Sequence, residues 1–451
     1  MERFLAIWAV LWLLSFFLPL LLSNERSRRV AAWLLPALGI CALYFLRNEW
    51  GPWLRLAAAS LGLLYLIKGT VLLQYPAARI RALSRWGLLI YMTIWPGMSP
   101  EPFESRGTAA DDAGRRFVKG LLIAYAGLAF IIFLALSVLR LPPLLIGWAG
   151  IAALLLTVHF GLSDVLTGGL QAAGWRVGPL FDEPHKSGSL REFWSARWNI
   201  AFVEMDKRLF LRPLARRLGA QSAFVGVFII SGVLHEMGIS YPAMAGFGLP
   251  LLYFLVQGAA ISVEARLPVS SRLFTLAIII LPLPLLFHPP FHDQLIVPLF
   301  HSLHAALTSR PMEFYLDKAL WIAAVLQLFV LIASFQVPTR LRWKDDLSKL
   351  SSFNRKLMWT YGLFIVLTIL AFSVLTFALH DEFLRGNPAA LGLAAFIAIF
   401  WTVRVAVDLF YFSKEDWPEG SQFVIGHLLL ASLFVCLIAI YAGLLMWHGL
   451  R

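Results

Sequence analysis

The sequence predicts an all-α, polytopic membrane protein with about eleven to twelve spans. Of its 451 residues, 59% are hydrophobic and only 14% are charged. Uncharged apolar runs of about 20 residues, the length that crosses a bilayer as a helix, recur along the whole sequence. The alternating pattern of strands is absent, so helices are the remaining way to satisfy the backbone inside lipid. The net charge of +12 lies in short loops, where Lys and Arg set topology, and it does not indicate a nucleic-acid partner.

Twelve apolar runs are the candidate spans. The first is expected to remain in the protein, because it is too long and bulky for a cleaved signal sequence and basic residues follow it. Cys41 and Cys436 each lie inside an apolar run, where they resemble small core residues and do not form a disulfide framework. The runs cover residues 4–23, 30–46, 56–74, 120–139, 144–163, 221–240, 244–263, 273–287, 319–337, 357–379, 388–411 and 421–447.

Two further apolar segments are not counted as spans. Residues 86–97 are short and end in Pro-Gly, which favours a re-entrant or interfacial helix. Residues 294–308 follow a Pro-Pro pair. If neither segment crosses, both termini lie outside and every strongly basic loop falls on the cytoplasmic side, as the positive-inside rule expects. These loops lie at residues 26–29, 79–85, 106–119, 164–220 and 338–356.

A charged linker at residues 339–356 marks one organisational break. It mixes Trp343 and Leu347 with basic residues, which is typical of a helix in the headgroup region. Residues 1–312 are expected to form a core that includes the cytoplasmic segment 164–220. Residues 313–451 are expected to add C-terminal transmembrane helices to which the sequence assigns no role.

A long polar segment stands out from this mostly apolar chain within residues 189–236, SLREFWSARWNIAFVEMDKRLFLRPLARRLGAQSAFVGVFIISGVLHE. It is dense in Arg, Lys and Trp, and it runs into an apolar helix that ends in His235 and Glu236. Because ionisable groups at membrane depth are costly, such a pair indicates a functional site.

The Arg and Trp residues of this stretch have two interpretations. One is an aromatic and basic belt at the membrane surface, common to membrane proteins. The other is a cytoplasmic platform for an anionic substrate head, such as the phosphates of CoA. The platform residues would be Arg191, Trp194, Arg197, Trp198, Arg208 and Arg212, with Arg216 and Arg217 adding positive charge.

His235 lies late in the apolar run, next to Glu236. A low-dielectric environment favours the neutral imidazole, which can act as a base. The alternative is a structural His that is hydrogen-bonded to a backbone carbonyl. Because adjacent residues point about a third of a helical turn apart, Glu236 is expected to meet another helix instead of orienting His235.

The pattern S-L-R-E-F-W-x-x-R-W-N, then a basic amphipathic stretch and S-G-x-x-H-E in an apolar helix, resembles the membrane-bound O-acyltransferase superfamily. The resemblance is to its wax-synthase-like branch, the long-chain-alcohol O-fatty-acyltransferases. The segment WPGMSPEPF at 95–103 is similar to a motif of this branch, and the resemblance covers roughly residues 80–310. Ser195 and Ala196 stand where the branch commonly has Gly-Arg, so one expected basic group is missing.

The resemblance implies that Asn199 and His235 are the signature pair and that His235 is catalytic in an internal tunnel. Acyl transfer from a thioester to an alcohol needs a base for the hydroxyl proton and a donor for the developing oxyanion. His235 would take the proton, and Asn199 would donate to the carbonyl oxygen or hold the acceptor. The implied partners are acyl-CoA, as co-substrate, a long-chain alcohol or similar lipid acceptor, and membrane lipids. No other cofactor or metal is expected. The implied location is a multi-pass position in a membrane, the inner membrane in a bacterium.

Other functions stay open on the sequence alone. The acceptor could be a sterol, a diacylglycerol or a polysaccharide. A transporter would use Arg404, Asp408 and Glu264 as coupling groups, although the matched halves common in transporters are absent. Arg404 and Asp408 are four residues apart in one span, a spacing that also suits a structural ion pair. His159 is either a tunnel residue or a packed one.

A second group of histidines, His288, His292, His301 and His304, lies in the segment FHPPFHDQLIVPLFHSLH. A metal site is conceivable there. The Pro-Pro pair between the first two histidines breaks the helix that would align them, and no HxxHH box occurs. A partly ordered outer loop is therefore expected.

Overall fold

The computed structural model describes residues 2–266, 271–412 and 421–449. Every regular element in these ranges is a helix, which confirms the all-α prediction. Nine of the described helices are long and apolar enough to cross a membrane, and one bent helix pair would make ten. Two shorter apolar helices, Ala6–Leu21 and Leu249–Glu264, add to these. The protein is thus a multi-pass, helical membrane protein.

The helices are numbered here in chain order. They are α1 (Glu2–Leu21), α2 (Glu25–Leu46), α3 (Pro52–Gln74), α4 (Ala77–Ala82), α5 (Arg85–Thr93), α6 (Ala113–Ser137), α7 (Pro143–Ala172), α8 (190–197), α9 (200–218), α10 (Ala220–Ala243), α11 (Leu249–Glu264), α12 (Arg272–Leu286), α13 (Pro289–Thr308), α14 (Met312–Arg340), α15 (Trp343–Ser348), α16 (Ser352–Ala378), α17 (His380–Arg385), α18 (Pro388–Phe410) and α19 (Ser421–Gly449).

All twelve predicted spans coincide with helices, but residues 244–263 contain only the shorter helix Leu249–Glu264, and residues 273–287 are not a complete span. Helix α12 is long enough to cross only together with α13, and the two are bent by 67° relative to each other. The bend falls at His288, whose backbone is extended with ψ 159°. A residue that precedes proline is disfavoured in the helical region, so Pro289 ends the first limb.

The predicted cytoplasmic segment 164–220 also starts too early. Its first nine residues continue helix α7, which reaches Ala172. The extension packs against α6 through small residues: a Cβ added at Gly168 would lie 2.7 Å from the Ala113 carbonyl oxygen. Two turns earlier, a Cβ at Gly161 would lie 2.6 Å from Ala124 Cα. Small residues permit this close backbone approach, and the buried contact keeps the polar end of α7 helical.

Helix α5 is too short to cross, as predicted for residues 86–97. Its nine residues reach only about 14 Å, and Tyr91 and Met92 are fully buried. The segment after it is held by Lys68, a buried residue of α3. The Lys68 Nζ donates to the carbonyl oxygens of Trp95 at 2.8 Å and Gly97 at 2.6 Å. This contact fixes the start of the WPGMSPEPF segment.

The C-terminal helices share a core with one another and with α6. Trp401 of α18 stacks on Phe434 of α19 at 4.8 Å, and Val118 of α6 belongs to the same buried cluster. Tyr441 is fully buried and joins three helices: it receives a hydrogen bond from Gln327 at 2.9 Å and lies 2.6 Å from the Thr376 hydroxyl. The linker forms the short helix α15, as expected.

The two cysteines are free, in agreement with the sequence prediction. Cys41 is exposed on the outer face of α2, so its assignment to the core was wrong. Its neighbours on that face, such as Phe45, are exposed apolar residues typical of a lipid-facing surface. Cys436 is half-buried.

Candidate active site

The tautomer of His235 is set by its hydrogen bond. The residue ends the regular α-helical part of α10, and its Nδ1 lies 2.7 Å from the backbone carbonyl oxygen of Ser231, one turn earlier. A carbonyl oxygen can only accept, so Nδ1 carries the proton. The other ring nitrogen, Nε2, is therefore left with a lone pair that can accept a proton from a substrate.

Asn199 joins α8 to α9 in a left-handed backbone conformation, with φ 43°. Among residues other than glycine, Asn tolerates this conformation best. Its Oδ1 accepts from the backbone N–H of Phe202 at 3.3 Å and so caps helix α9. The adjacent Ile200 N–H donates to the Leu180 carbonyl at 2.9 Å, which anchors the joint. Within the described ranges the Asn199 amide nitrogen has no protein partner and can donate to a ligand.

Asn199 and His235 face one cavity of about 250 Å³. The cavity lies among four helices, α8 to α11, and its walls are largely apolar and aromatic. The remaining lining residues are Arg191, Trp194, Ser195, Trp198, Phe202, Val203, Asp206, Lys207, Leu211, Phe224, Val227, Phe228, Ser231, Phe254 and Ile261.

Aromatic contacts fix the walls of this cavity. The His235 ring lies 4.3 Å from the Phe254 ring, measured between centroids. Trp194 donates from its indole nitrogen to Gln257 at 3.2 Å, and Trp198 stacks on Phe193 at 5.4 Å. Trp194, in α8, and Trp198, directly after the end of α8, both line the cavity.

Three helices around the site contain a π-helical turn, in which the hydrogen bonds span one residue more than in an α-helix. The turns are Phe193–Arg197, Lys207–Leu211 and Glu236–Ser240. The last begins directly after His235. Such turns are frequent at functional sites.

Of the predicted platform, only Arg191, Trp194 and Trp198 line the cavity. Arg197 instead forms an ion pair with Glu192 at 2.6 Å. Arg208 pairs with Glu101 and lies over the Tyr75 ring. Arg212 is exposed outside the cavity. These three side chains therefore do not line the cavity with Arg191: two pair with carboxylates and the third is exposed.

Two charged residues of the cavity were missed by the sequence prediction. Lys207 lines it and adds a second cation beside Arg191. Asp206 is only 8% exposed, and burial raises the pKa of its carboxyl to about 7. The Ser231 hydroxyl donates to Asp206 Oδ2 at 3.4 Å. The sequence did contain a signal for Asp206: it lies seven residues after Asn199, which is two helical turns and puts both residues on the same face.

Two glutamates have structural roles. Glu264 accepts from the Leu190 backbone N–H at 3.0 Å and the Arg191 N–H at 3.4 Å, so it caps the start of α8. Glu236 accepts from the backbone N–H groups of Gly248 and Leu251 at 2.9 and 3.0 Å. It meets another helix, as predicted. These bonds account for Glu264 without a coupling role in transport.

The other ionisable residues singled out in the sequence lie away from the cavity. Arg404 pairs with Asp408 on one face of α18, which is the structural interpretation of their spacing. The His159 ring packs 5.5 Å from Phe181, whose ring contacts Trp198 at 5.1 Å. His159 therefore belongs to a packed aromatic layer behind the cavity wall.

The second histidine group is not a partly ordered loop. His288 is fully buried, accepts from the Phe291 N–H and lies 3.2 Å from the Ser240 hydroxyl. His292 is 3% exposed and lies 2.8 Å from the Phe287 carbonyl oxygen through Nε2. His301 is exposed. The Pro-Pro pair breaks the helix as predicted, but it turns the second limb into the core instead of releasing it. In the described part of the chain, no three His, Cys, Asp or Glu side chains group around a metal-sized site.

Residues 175–256 match the sequence model of the membrane bound O-acyl transferase family. A probable long-chain-alcohol O-fatty-acyltransferase 2 of Arabidopsis thaliana is 34% identical over 100 residues, 18% of this chain and 28% of the relative. An acyl-CoA–sterol O-acyltransferase 1 of the same plant is 24% identical over 179 residues, 35% of this chain and 52% of the relative. The long-chain-alcohol O-fatty-acyltransferase of Simmondsia chinensis is 26% identical over 129 residues, 25% of this chain and 37% of the relative.

The matched family segment contains every cavity-lining residue except Ile261. It is narrower than the predicted 80–310 and leaves out residues 95–103. The aligned regions span between 28% and 52% of the lengths of these relatives.

Fold and site together define a multi-pass helical membrane protein with a His and an Asn facing one cavity. The comparisons agree with the predicted resemblance. They support assigning the chain to the wax-synthase-like branch of the membrane-bound O-acyltransferase superfamily, through the segment that contains the cavity.

Proposed function

We propose that the protein transfers a fatty acyl group from acyl-CoA to the hydroxyl of a lipophilic alcohol and so makes a wax ester. The observation that carries this proposal is the pairing of an unprotonated His235 Nε2 with a donating Asn199 amide at one cavity. The relatives named as long-chain-alcohol acyltransferases support the choice of acceptor.

The residues account for each proton and charge in the reaction. The acceptor hydroxyl gives its proton to His235 Nε2 while its oxygen attacks the thioester carbonyl carbon. The Asn199 amide N–H donates to the oxygen that becomes negatively charged. When the tetrahedral intermediate collapses, the C–S bond breaks and the CoA thiolate takes the proton from His235. The Ser231 carbonyl, bonded to Nδ1, stabilises the imidazolium between these two steps.

Two basic residues of the cavity lining suit the CoA end of the acyl donor. Arg191 is exposed and lines the cavity, as does Lys207. Two cations that line one cavity attract phosphate groups. The positive-inside rule favours a cytoplasmic position for these two residues, where acyl-CoA is available. The aromatic and aliphatic walls beyond it suit the acyl chain and exclude water.

A matched pair of histidine variants tests the catalytic assignment. His304 is the control, because its Nδ1 also lies at a backbone carbonyl, 3.0 Å from Ala135 O, but outside the cavity. Purified protein in lipid nanodiscs receives labelled palmitoyl-CoA and hexadecan-1-ol. His235→Ala should lower kcat about 10²–10⁴-fold, the usual contribution of a general base. His304→Ala should stay near the wild-type rate. Near-normal turnover in His235→Ala refutes the mechanism.

Asn199→Asp separates the two tasks of Asn199. The carboxylate keeps the cap on α9 and removes the donor to the oxyanion. Loss of one such donor lowers kcat about 10²–10³-fold. An unchanged kcat in this variant, with the protein folded, contradicts the assignment of Asn199 as the oxyanion donor.

A sterol is the second candidate acceptor, because one relative is named as an acyl-CoA–sterol acyltransferase. The same assay with cholesterol in place of hexadecan-1-ol distinguishes the two. Ester formation with cholesterol alone would move the proposal to sterol acylation. Absence of ester with an alcohol, a sterol and a diacylglycerol would refute acyl transfer to lipids.

A further inference from the structure

Asp206 is a buried carboxyl in the cavity that the proposed reaction does not use. The residue is 8% exposed, yet its Oδ1 has no protein hydrogen-bond partner among the described residues. Its Oδ2 receives one long bond, 3.4 Å, from Ser231. Leaving a buried acceptor unpaired is costly, so an Asp at this wall position points to a ligand group that pairs with it.

Ser231 relates Asp206 to the reaction centre. Its hydroxyl contacts Asp206, and its carbonyl oxygen contacts His235 Nδ1. Ser231 and His235 are four residues apart, about 6 Å along the helix. Asn199 and Asp206 are seven apart, about 10 Å along their helix. Phe202, which lies between Asn199 and Asp206 in the chain, has its ring 6.3 Å from the His235 ring.

This arrangement separates two polar ends of the cavity. Asn199 binds the thioester carbonyl in the proposed reaction. Asp206 lies about 10 Å farther along the same helix, and Ser231 connects it to His235. A simple fatty alcohol would present only methylene groups to Asp206, because its single oxygen is at His235. That contact would leave the carboxyl unpaired.

Resting on the proposed acyl transfer, we propose that the acceptor carries a second hydroxyl next to the reactive one and that Asp206 binds this second hydroxyl. A hydroxyl both donates and accepts, so it pairs with the carboxyl in either protonation state. Two neighbouring hydroxyls of one acceptor would make one hydrogen bond to His235 Nε2 and one to Asp206, whose side chain is linked to His235 through Ser231. The acceptor class is therefore a long-chain 1,2-diol or a lipid with the same head, such as a monoacylglycerol.

The experiment compares two acceptors of equal chain length, hexadecan-1-ol and hexadecane-1,2-diol, with palmitoyl-CoA and the full-length protein in nanodiscs. We expect kcat/KM for the diol to exceed that for the alcohol by at least about tenfold, the factor that one hydrogen bond to a carboxyl contributes. We also expect one regioisomer of the monoester, because Asp206 fixes which hydroxyl reaches His235. Equal kcat/KM values or a mixture of regioisomers in the wild type would overturn the inference.

Two variants assign the effect to Asp206. Asp206→Leu should bring the ratio of the two kcat/KM values to about one and give both regioisomers. Asp206→Asn keeps a pairing group of the same shape and should keep the preference; it also serves if the Leu variant does not fold. Persistence of the preference in Asp206→Leu would overturn the role of Asp206. Ester formation from hexadecan-1-ol without a diol preference refutes only this inference, whereas absence of any ester refutes the proposed function.

Discussion

Replacing Glu264 by Leu should release the start of helix α8, which carries Arg191, Trp194 and Trp198 into the cavity. In the wild type the Glu264 carboxylate accepts from the Leu190 and Arg191 backbone N–H groups. Leu fills similar space but accepts nothing, so two buried N–H groups lose their acceptor. Each hydrogen bond to a charged group contributes about 1.5–3 kcal/mol, so the local opening of this segment should become easier by at least ~3 kcal/mol.

Hydrogen exchange measured by mass spectrometry in nanodiscs checks this prediction. A change of ~3 kcal/mol in opening free energy corresponds to roughly 100-fold faster exchange. The effect should be confined to peptides that cover residues 189–198. Glu264→Gln retains one acceptor oxygen and should show a smaller change. The loosened wall should also lower acyl transfer in the Leu variant.

Glu236→Leu is the matched control, because Glu236 also accepts two backbone N–H bonds. Its exchange should rise at residues 248–251, the start of α11, and stay unchanged at 189–198. Equal exchange at residues 189–198 in Glu264→Leu and the wild type would refute the anchoring role. A uniform rise along the whole chain would show global loosening instead.

Three further predictions concern stability. Burial raises the pKa of Asp206 from about 4 to about 7, so the stability of the wild type falls as pH rises between those values. Asp206→Asn does not titrate and should gain up to ~3 kcal/mol of stability relative to the wild type between pH 5 and pH 8. A difference in Tm that does not change with pH would contradict this. Gly161→Ala places a Cβ 2.6 Å from a neighbouring helix backbone and should lower stability by about 1–3 kcal/mol. Gly443→Ala, where a Cβ has nothing within 4 Å, should be neutral or stabilising. Equal Tm values for the two variants would refute tight packing of α6 on α7. Tyr441→Phe removes the hydroxyl that joins three C-terminal helices and should cost about 1–3 kcal/mol in thermal unfolding; an unchanged Tm would show that its hydrogen bonds add no net stability.

Local sequence patterns predicted the contributions to the site that lie within one helix. His235 was placed near the end of its helix by the apolar run before it. The fate of Arg208 could not be predicted this way. Its partner, Glu101, is 107 residues away in the chain, and only the fold brings the two together.

The same limit applied to the helix ends. Apolar length identified the spans, but the end of α7 is polar, and its helical state depends on burial against α6. The bend before Pro289 was predicted from covalent geometry, which is local. The direction of the second limb was not, because it depends on buried contacts such as that of His288 with Ser240.

The π-helical turn Glu236–Ser240 makes the number of residues in this helix as important as their identity. Removing one residue there, for example Gly238, would let an ordinary helix form and rotate everything after it by about 100°. His235 would keep its place, but Tyr241 would swing away from the Leu43 carbonyl, to which its hydroxyl now donates at 2.8 Å. Single-residue deletions should therefore be tolerated far less here than substitutions, and homologous chains can be aligned across this turn only if the extra residue is retained.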